Sequence, residues 1–317
     1  MKHSKGLVET LLVLALVGTF VLGGCGKKEE QEKKPTVALV MKSLANEFFK
    51  TMEEGARAHH AEHEGVYALK VVGIKNETDV DQQVKYVEHM MAQDVNAIVI
   101  APADSKALVN VCKKAMEAGI VVVNIDNKFD QDVLRDKGID IPFVGPDNRE
   151  GAKLAGVYLA TRLNPGDKVA IIEGAPNAYN GIQRKQGFEE AMLASGMDIV
   201  SSQTGYWETD KAQPIASALI NGYPDLKAIL CANDNMALGA VAALRDAGKT
   251  DDIYVVGFDN IVAVQRLLKE GKVLCTVDQH GDQLAVYGIQ YALDMLTGRG
   301  RVANRETPVD LITAETF

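Results

Sequence analysis

The chain has 317 residues, of which 47% are hydrophobic and 24% are charged, and its formal net charge at pH 7 is −9. This composition is typical of globular proteins, and the length is sufficient for two domains of ordinary size. The acidic balance argues against nucleic acid as a partner, because neutralising phosphates requires a basic surface.

The N-terminal segment ends in Leu22-Gly23-Gly24-Cys25, after a basic start and an apolar run from Thr10 to Leu22. The run is too short for a membrane span, which needs ~20 residues. The pattern resembles the cleavage site of bacterial lipoprotein signal peptides. That resemblance implies that residues 1–24 are removed and that Cys25 is lipidated, so the chain is extracytoplasmic and anchored to a membrane. The alternative is an ordinary secretory peptide that contains Cys25 by coincidence.

Residues 26–34 contain no apolar side chain. They cannot contribute to a core, so the segment 25–34 is predicted to be a charged, disordered tether. Ordered structure is expected to begin at Pro35.

From Pro35 onward, short apolar runs alternate with amphipathic stretches. The strand-like runs are Val37–Met41, Leu69–Ile74, Ala97–Ala101, Val121–Ile125, Pro142–Val144, Lys168–Ile172, Ala228–Cys231, Ile253–Phe258 and Leu274–Val277. The helix-like stretches include Glu47–His63, Asp81–Gln93, Ala107–Ala118, Arg149–Leu163, Ile182–Ala194, Met236–Ala247 and Gln283–Leu296. Most of the strand-like runs are continuously apolar, as in strands buried on both faces of a parallel sheet. The alternation predicts an α/β fold, divided into two sheets because the pattern restarts at Lys168.

Three cysteines remain when Cys25 is set aside, namely Cys112, Cys231 and Cys275. An odd number without close spacing is not a disulfide framework, and the apolar surroundings favour buried free thiols. A bridge between Cys231 and Cys275 stays open as the alternative.

Polar and aromatic side chains follow several of the predicted strands. Ligands of open parallel sheets bind beyond the carboxyl ends of the strands, so these side chains predict a binding site. They are Lys42, Asn46, Phe48, Phe49, Asp126, Asn127, Asn233, Asp259 and Gln279, together with Arg184 near the start of a helix and the single tryptophan, Trp207. Amides, carboxylates, cations and aromatic rings suit a neutral polyhydroxyl compound. Asp234 and Asn260 are interpreted as helix caps, and for Asn233 both roles are open.

Four stretches of the sequence resemble one family. They are ALVMKSLANEFF (38–49), VVNID (122–126), CANDNMALGA (231–240) and VVGFD (255–259), and they are similar to stretches of bacterial periplasmic sugar-binding proteins of the ribose, galactose and allose group. The resemblance extends from Pro35 to near the end of the chain. It is strongest to the allose-binding members, which share the lysine at position 42, the Ala101-Pro102 pair and VAIIEG (169–174).

The resemblance implies the type I periplasmic binding protein fold, in which two similar doubly wound α/β lobes are joined by three crossovers. The matching positions assign residues 35–146 and 280–310 to the N-terminal lobe and residues 147–279 and 311–317 to the C-terminal lobe. The lobes are expected to close around a sugar, and the permease of an ABC transporter is expected to recognise the closed form. The implied protein is a monomer without catalytic residues, metal or cofactor.

Carried over residue by residue, the resemblance assigns sugar contacts to Lys42, Asn46, Asp126, Arg184, Asn233, Asp259 and Gln279. It places Phe48 and Phe49 on one face of the sugar and Trp207 on the other. Ribose-binding members have asparagine where this chain has Ala101 and arginine where it has Asn127, which argues against D-ribose as the best ligand. Allose-binding members have glutamate at the position of Asn127 and tryptophan at that of Phe49. A hexose such as D-allose, a related ketose and a polyol therefore all stay open.

Two other functions compete with sugar transport. The segment HHAEH at 59–63 has the H-x-x-E-H order of a zinc hydrolase, with His59 and His63 on one helix face, but no third ligand follows. A sugar-sensing lipoprotein that feeds a chemoreceptor or a sensor kinase shares every feature of a transporter component. Kinase and dehydrogenase functions are poorly supported, because the sequence has no P-loop or dinucleotide-binding fingerprint.

Overall fold

The computed structural model describes residues 34–300 and 303–316. The predicted signal peptide, Cys25 and the tether as far as residue 33 lie outside the described residues. Within the described ranges, no helix combines the length and the apolar character that crossing a membrane requires.

Twelve strands of the described chain form two six-stranded sheets. The strands are β1 (Thr36–Met41), β2 (Ala68–Gly73), β3 (Ala97–Ile100), β4 (Val121–Ile125), β5 (Phe143–Pro146), β6 (Lys168–Glu173), β7 (Asp198–Thr204), β8 (Leu226–Cys231), β9 (Tyr254–Val256), β10 (Cys275–Asp278), β11 (Arg305–Thr307) and β12 (Asp310–Thr313). The first sheet has the order β2-β1-β3-β4-β5-β11, and the second has the order β7-β6-β8-β9-β10-β12. All pairings are parallel except that of β10 with β12. The predicted α/β class with two doubly wound sheets is confirmed.

Ten helices of the described chain cover the sheets. They are α1 (Glu47–Glu62), α2 (Val80–Ala92), α3 (Val109–Glu117), α4 (Gln131–Asp136), α5 (Asn148–Ala160), α6 (Tyr179–Ala194), α7 (Thr209–Gly222), α8 (Asp234–Asp246), α9 (Val262–Lys269) and α10 (Gly281–Leu296). The amphipathic stretches found in the sequence correspond to seven of these helices. The predicted helical stretches do not include α4, α7 or α9, because α4 and α9 are short and α7 contains Pro214, which interrupts a helical pattern.

The chain passes between the sheets three times. After β5 it enters α5, which packs against strands of the second sheet, and after β10 it enters α10, which packs against strands of the first. The third passage connects β11 to β12. We call the first sheet together with α1–α4 and α10 the first lobe. The second sheet together with α5–α9 is the second lobe.

One predicted boundary differs from the structure. Asp310 pairs with Asp278 in the second sheet, so it belongs to the second lobe and not, as predicted, to the first. The passage occurs at residues 308–309 because Pro308 has no backbone N–H and ends the ladder of β11. The other lobe bounds stay a prediction.

Strand β1 shows why the strands read as continuous apolar runs. Val37, Leu39 and Met41 face a hydrophobic cluster that includes residues of α1 and α10. Ala38 and Val40 face a second cluster that includes residues of α2 and α3. Because both faces of the strand are buried, the alternation of side chains along it leaves no polar position.

The three described cysteines are free and buried, as the favoured interpretation predicted. Cys231 lies on β8 and Cys275 lies on β10, and β9 separates these strands. A bridge would have to span two strand spacings of about 4.8 Å each, which exceeds the ~7 Å limit between bridged Cα atoms. The alternative of a Cys231–Cys275 disulfide is therefore wrong.

Candidate ligand-binding cleft

A cavity lies between the two lobes, at the carboxyl ends of their strands. It is lined by Lys42, Asn46, Phe48, Phe49, Glu77 and Asp126 from the first lobe, by Asn180, Arg184, Trp207, Asn233 and Asp259 from the second, and by Gln279 at the second passage. Every one of these residues is buried. The cavity thus brings together all the predicted site residues except Asn127, and adds Glu77 and Asn180.

Lys42 and Asp126 form a buried ion pair on the first-lobe side of the cavity. Their Nζ and Oδ2 atoms are 3.2 Å apart, and the side chains are only 3% and 2% exposed. Asp126 has a φ of +61°, a left-handed conformation that aspartate tolerates better than most residues. The Lys42 ammonium also lies 5.5 Å from the ring centroid of Phe49 and 5.6 Å from that of Trp207, so one cation is flanked by aromatic rings of both lobes.

Asn46 connects the start of α1 to a buried carboxyl group. Its Oδ1 accepts a hydrogen bond from the main-chain N–H of Phe48, which makes it the N-cap of the helix, and its Nδ2 donates to Glu77 Oε1 at 2.8 Å. Burial raises the pKa of Glu77 to about 7, although Lys42 and the hydrogen bond from Asn46 act in the opposite direction. Glu77 is therefore a carboxyl group that titrates near neutral pH inside the cavity wall.

Arg184 is held on the second-lobe side by four groups. Its Nε donates to Asn148 Oδ1 at 2.8 Å, and one Nη donates to the carbonyl oxygen of Ala232 at 2.9 Å and to Asp259 Oδ1 at 3.4 Å. The guanidinium also lies 3.7 Å from the ring centroid of Phe258. A buried cation with this many partners is fixed in orientation before any ligand arrives.

Asp259 is shared between the cation and an amide. Gln279 donates from Nε2 to the same Oδ1 atom at 2.7 Å, and Asp259 has a φ of +122°. Burial raises the pKa of Asp259 above its ordinary range, and the neighbouring Arg184 opposes that rise. Trp207, with a φ of +72°, is a third cavity residue with a strained backbone, after Asp126 and Asp259. Such strain concentrates at ligand sites.

Asn233 has both of the roles that the sequence left open. It lines the cavity, and its Oδ1 accepts from Met236 N as the N-cap of α8. The prediction that Asp234 and Asn260 cap helices is wrong, because the caps of α8 and α9 are Asn233 and Ile261. The Asp234 carboxylate instead accepts from Thr276 Oγ1 and Ile261 N, and Asn260 donates to Asp278 Oδ2.

Asn127 is fully buried outside the cavity lining, contrary to its prediction as a ligand residue. Its Nδ2 donates to the carbonyl oxygen of Pro102, and its Oδ1 accepts from Ser105 Oγ and from the main-chain N–H of Asn180. The preceding residue, Asp126, has a positive φ. The backbone turn at this residue points the side chains of Asp126 and Asn127 in different directions.

Two cavity residues, Glu77 and Asn180, were not predicted, although the sequence contains a signal for each. Glu77 follows the carboxyl end of β2, at the same edge of the sheet as Lys42 and Asp126. Asn180 precedes Arg184 by four residues on α6, so the two share a helix face. The first signal is weak because the loop after β2 is long, and the second was missed because the predicted helix began at Ile182.

Three buried acceptor atoms of the cavity have no hydrogen-bond partner among the described residues. They are Asp126 Oδ2, Asn180 Oδ1 and Gln279 Oε1. Asp126 Oδ2 lies beside the Lys42 ammonium but receives no well-directed hydrogen bond from it. Since the large majority of buried side-chain polar atoms in proteins are hydrogen-bonded, these acceptors indicate a site for donors from outside the chain.

Hydrogen bonds connect the two lobes across the cleft. The main-chain N–H of Val262, at the start of α9, donates to Glu47 Oε1 at 2.9 Å. Elsewhere along the cleft the contacts are Glu77 N to Glu208 Oε1, Ser105 N to Asn177 O, and Tyr179 N to Ser105 Oγ. A ligand in this cavity is therefore surrounded by protein and shielded from water.

The periplasmic binding protein domain family matches residues 37–300, which include most of both lobes and every residue that lines the cavity. The chain belongs to this family. Its fold is that of the type I periplasmic binding proteins, in agreement with the resemblance read from the sequence.

Relatives of this periplasmic binding protein match over nearly its whole length. A D-ribose/D-allose-binding protein of Pseudomonas aeruginosa is 56% identical over 289 residues, covering 90% of this chain and 91% of the relative. An ABC transporter solute-binding protein from Burkholderia multivorans, solved with an unknown ligand, has a TM-score of 0.87 and 54% identity, covering 89% of this chain and 100% of that one. One from Actinobacillus succinogenes with bound D-allose has a TM-score of 0.84 and 33% identity, covering 89% and 98%.

In the HHAEH segment of this periplasmic binding protein, the rings of His59 and His63 contact each other and neighbouring groups. The rings of His59 and His63 stack with centroids 4.2 Å apart, His59 Nδ1 lies 2.9 Å from the Tyr67 hydroxyl, and His63 Nδ1 lies 2.7 Å from the carbonyl oxygen of His59. In the part of the chain that the structure describes, no three His, Cys, Asp or Glu side chains are grouped so that they could hold a metal ion. The structure gives the zinc hydrolase alternative no support.

Proposed function

We propose that this chain is the solute-binding component of a sugar ABC transporter, which binds a monosaccharide between its lobes and presents it to the permease without catalysis. The observation that carries the proposal is the set of three buried acceptors in one closed cavity that receive no hydrogen bond from the described residues. Sugar hydroxyls supply the donors that these acceptors lack, and Lys42 and Arg184 can donate to sugar oxygens. The rings of Phe48, Phe49 and Trp207 offer flat surfaces to the C–H faces of a sugar ring.

The proposed ligand is a hexose such as D-allose, or a related ketose or polyol. A relative of 56% identity is named for both D-ribose and D-allose, and a structural neighbour of 33% identity holds D-allose. D-ribose belongs in the comparison, because neither of the two departures from ribose-binding members, Ala101 and Asn127, lines the cavity.

The ligand class is tested by thermal unfolding in the presence of a panel of monosaccharides and polyols that includes D-allose, D-ribose and myo-inositol. A sugar at about 100 times its Kd adds about 2.7 kcal/mol to the free energy of unfolding, so we expect a clear rise in the midpoint. If no compound of the panel shifts the transition, the sugar assignment is wrong.

We also propose that Cys25 is lipidated after removal of residues 1–24 and that the segment 25–34 links the protein body to the outer side of a membrane. The support is the order of basic, apolar and small residues before Cys25. Expressed in a bacterial host, the wild-type protein should partition into the detergent phase of Triton X-114 and the Cys25→Ser variant into the aqueous phase. Wild-type protein in the aqueous phase would contradict the anchor.

The transport role is tested separately by deleting the gene and measuring uptake of the sugar that binds. We expect uptake to fall, because a permease of this type receives its substrate from the closed binding protein. Unchanged uptake together with a lost chemotactic or transcriptional response would instead identify a sensor lipoprotein.

A further inference from the structure

Asn180 is a cavity residue whose side chain makes no hydrogen bond to any of the described residues. It lies in the first turn of α6, is 2% exposed and lines the cavity. Its Oδ1 atom has no hydrogen-bond partner in the described part of the chain. Buried amides are nearly always bonded, so a buried amide without a partner in a ligand cavity indicates a group that a ligand supplies.

The position of Asn180 is fixed even though its amide is not bonded. Asn180 and Arg184 are one helical turn apart on the same face of α6, and Arg184 is held by Asn148 and Asp259. From the other side, the main-chain N–H of Asn180 donates to Asn127 Oδ1 of the first lobe at 3.2 Å. When the lobes are closed, the amide is therefore presented to the cavity from a backbone that both lobes hold.

We propose that Asn180 is a specificity-determining residue whose side-chain amide binds one hydroxyl of the sugar. The inference rests on the proposed function, because it requires a polyhydroxyl ligand. A hydroxyl both donates and accepts, so it pairs with either end of the amide. A sugar that lacks this hydroxyl, or carries it in the opposite configuration, leaves the amide unpaired in a cavity closed to water. Asn180 thereby distinguishes sugars that differ at a single carbon atom.

The test measures Kd by isothermal titration calorimetry for D-allose and for each of its monodeoxy derivatives. If another sugar of the panel binds wild type more tightly, that sugar and its monodeoxy derivatives are used instead. Two variants are compared with wild type. Asn180→Leu keeps the size of the side chain without its polar atoms, and Asn180→Ala covers the case in which leucine does not fit. The control is Gln183→Ala, because Gln183 lies on the same helix, bonds Gln186 and does not line the cavity.

We expect both Asn180 variants to bind the complete sugar about tenfold to a hundredfold more weakly than wild type, and the control to bind it equally well. One monodeoxy derivative, which lacks the hydroxyl that Asn180 binds, should have the same Kd for the variants as for wild type. The sugar-free unfolding midpoints should stay close to that of wild type, because the amide makes no hydrogen bond to residues 34–300 or 303–316.

Variants that bind the complete sugar as tightly as wild type would overturn the inference and leave the proposed function intact. An equal loss for every monodeoxy derivative would also overturn it, because that pattern shows a general effect on closure and not a contact with one hydroxyl. Wild-type protein that binds no sugar at all would remove the proposed function, and the inference with it.

Discussion

The side-chain oxygen of Asn127 in the first lobe accepts a hydrogen bond from the main-chain N–H of Asn180 in the second lobe, at 3.2 Å. The same oxygen accepts from Ser105 Oγ, and the amide nitrogen of Asn127 donates to the carbonyl oxygen of Pro102. Asn127 is thus bonded within its own lobe as well as across the cleft. It contributes to the closed arrangement of the lobes, and Asn180 provides a polar group that faces the cavity.

Substitution of Asn127 by alanine should weaken the binding of all sugars by a similar factor. The variant loses one hydrogen bond of the closed form, which costs about 1 kcal/mol, or about fivefold in affinity. The measurement is Kd by calorimetry for several sugars, with Asn110→Ala, an exposed asparagine of the same lobe, as control. A loss confined to one sugar would instead show that Asn127 contacts the ligand.

Removing either partner of the Arg184–Asp259 pair should abolish sugar binding. Arg184→Ala leaves Asp259 without its cation, and Asp259→Ala leaves the guanidinium without its carboxylate, so each variant should lose about 2–5 kcal/mol of binding free energy. The measurement is Kd, with sugar-free unfolding to verify the fold. Lys185→Ala is the matched control, because Lys185 follows Arg184 on α6 and pairs with Glu173 away from the cavity. Affinity retained in both variants would place the site elsewhere.

The free energy of unfolding should depend on pH through Glu77. Its pKa is about 7 in the folded protein, against an ordinary value of 4.5, and the charged groups that face it are Lys42, Glu208 and Asp126. Below pH 4.5 the carboxyl is protonated in both states. Between about pH 4.5 and 7 the unfolded chain releases this proton while the folded protein keeps it, so the contribution of Glu77 to stability falls as pH rises, by up to about 3 kcal/mol.

The variant Glu77→Gln removes this titration. In chemical denaturation without sugar, the free energy of unfolding of the variant minus that of wild type should grow from pH 4.5 to 7 and then level off. The difference isolates Glu77 from Asp234 and Asp259, whose pKa values burial also raises and which both proteins contain. A difference that does not change with pH would contradict the prediction.

Gly174 should be required for the position of Trp207. A Cβ atom added at Gly174 would collide with the indole ring, so Gly174→Ala has to displace the aromatic wall of the cavity. Because Trp207 is the only tryptophan of the chain, its fluorescence reports this displacement directly. We expect altered emission without sugar, a loss of about 1–3 kcal/mol in the free energy of unfolding, and weaker sugar binding. Gly65→Ala, where a Cβ meets no atom within 4 Å, is the control, and unchanged emission in Gly174→Ala would refute the prediction.

The sequence by itself determined the α/β class, the two sheets and most of the cavity lining. Burial on both faces of a parallel strand is a local pattern, which is why the runs that became β1, β4 and β8 could be recognised. Because parallel strands place their carboxyl ends at one edge, the residues after them, such as Lys42, Asp126 and Asn233, could be assigned to one site without knowing any distance.

Only the tertiary structure decided which of these side chains face the ligand and which hold the lobes together. Asn127 and Asp126 are neighbours in sequence, yet a single left-handed residue separates their roles. Asn180 lies on α6, which begins three residues earlier than predicted and therefore carries Asn180 on the same face as Arg184. Glu77 is held at the cavity by the hydrogen bond that Asn46 donates to its carboxyl group. These outcomes depend on side-chain direction and on contacts between residues far apart in the chain, such as Asn127 with Asn180 and Glu77 with Glu208, and no local pattern of residues encodes such contacts.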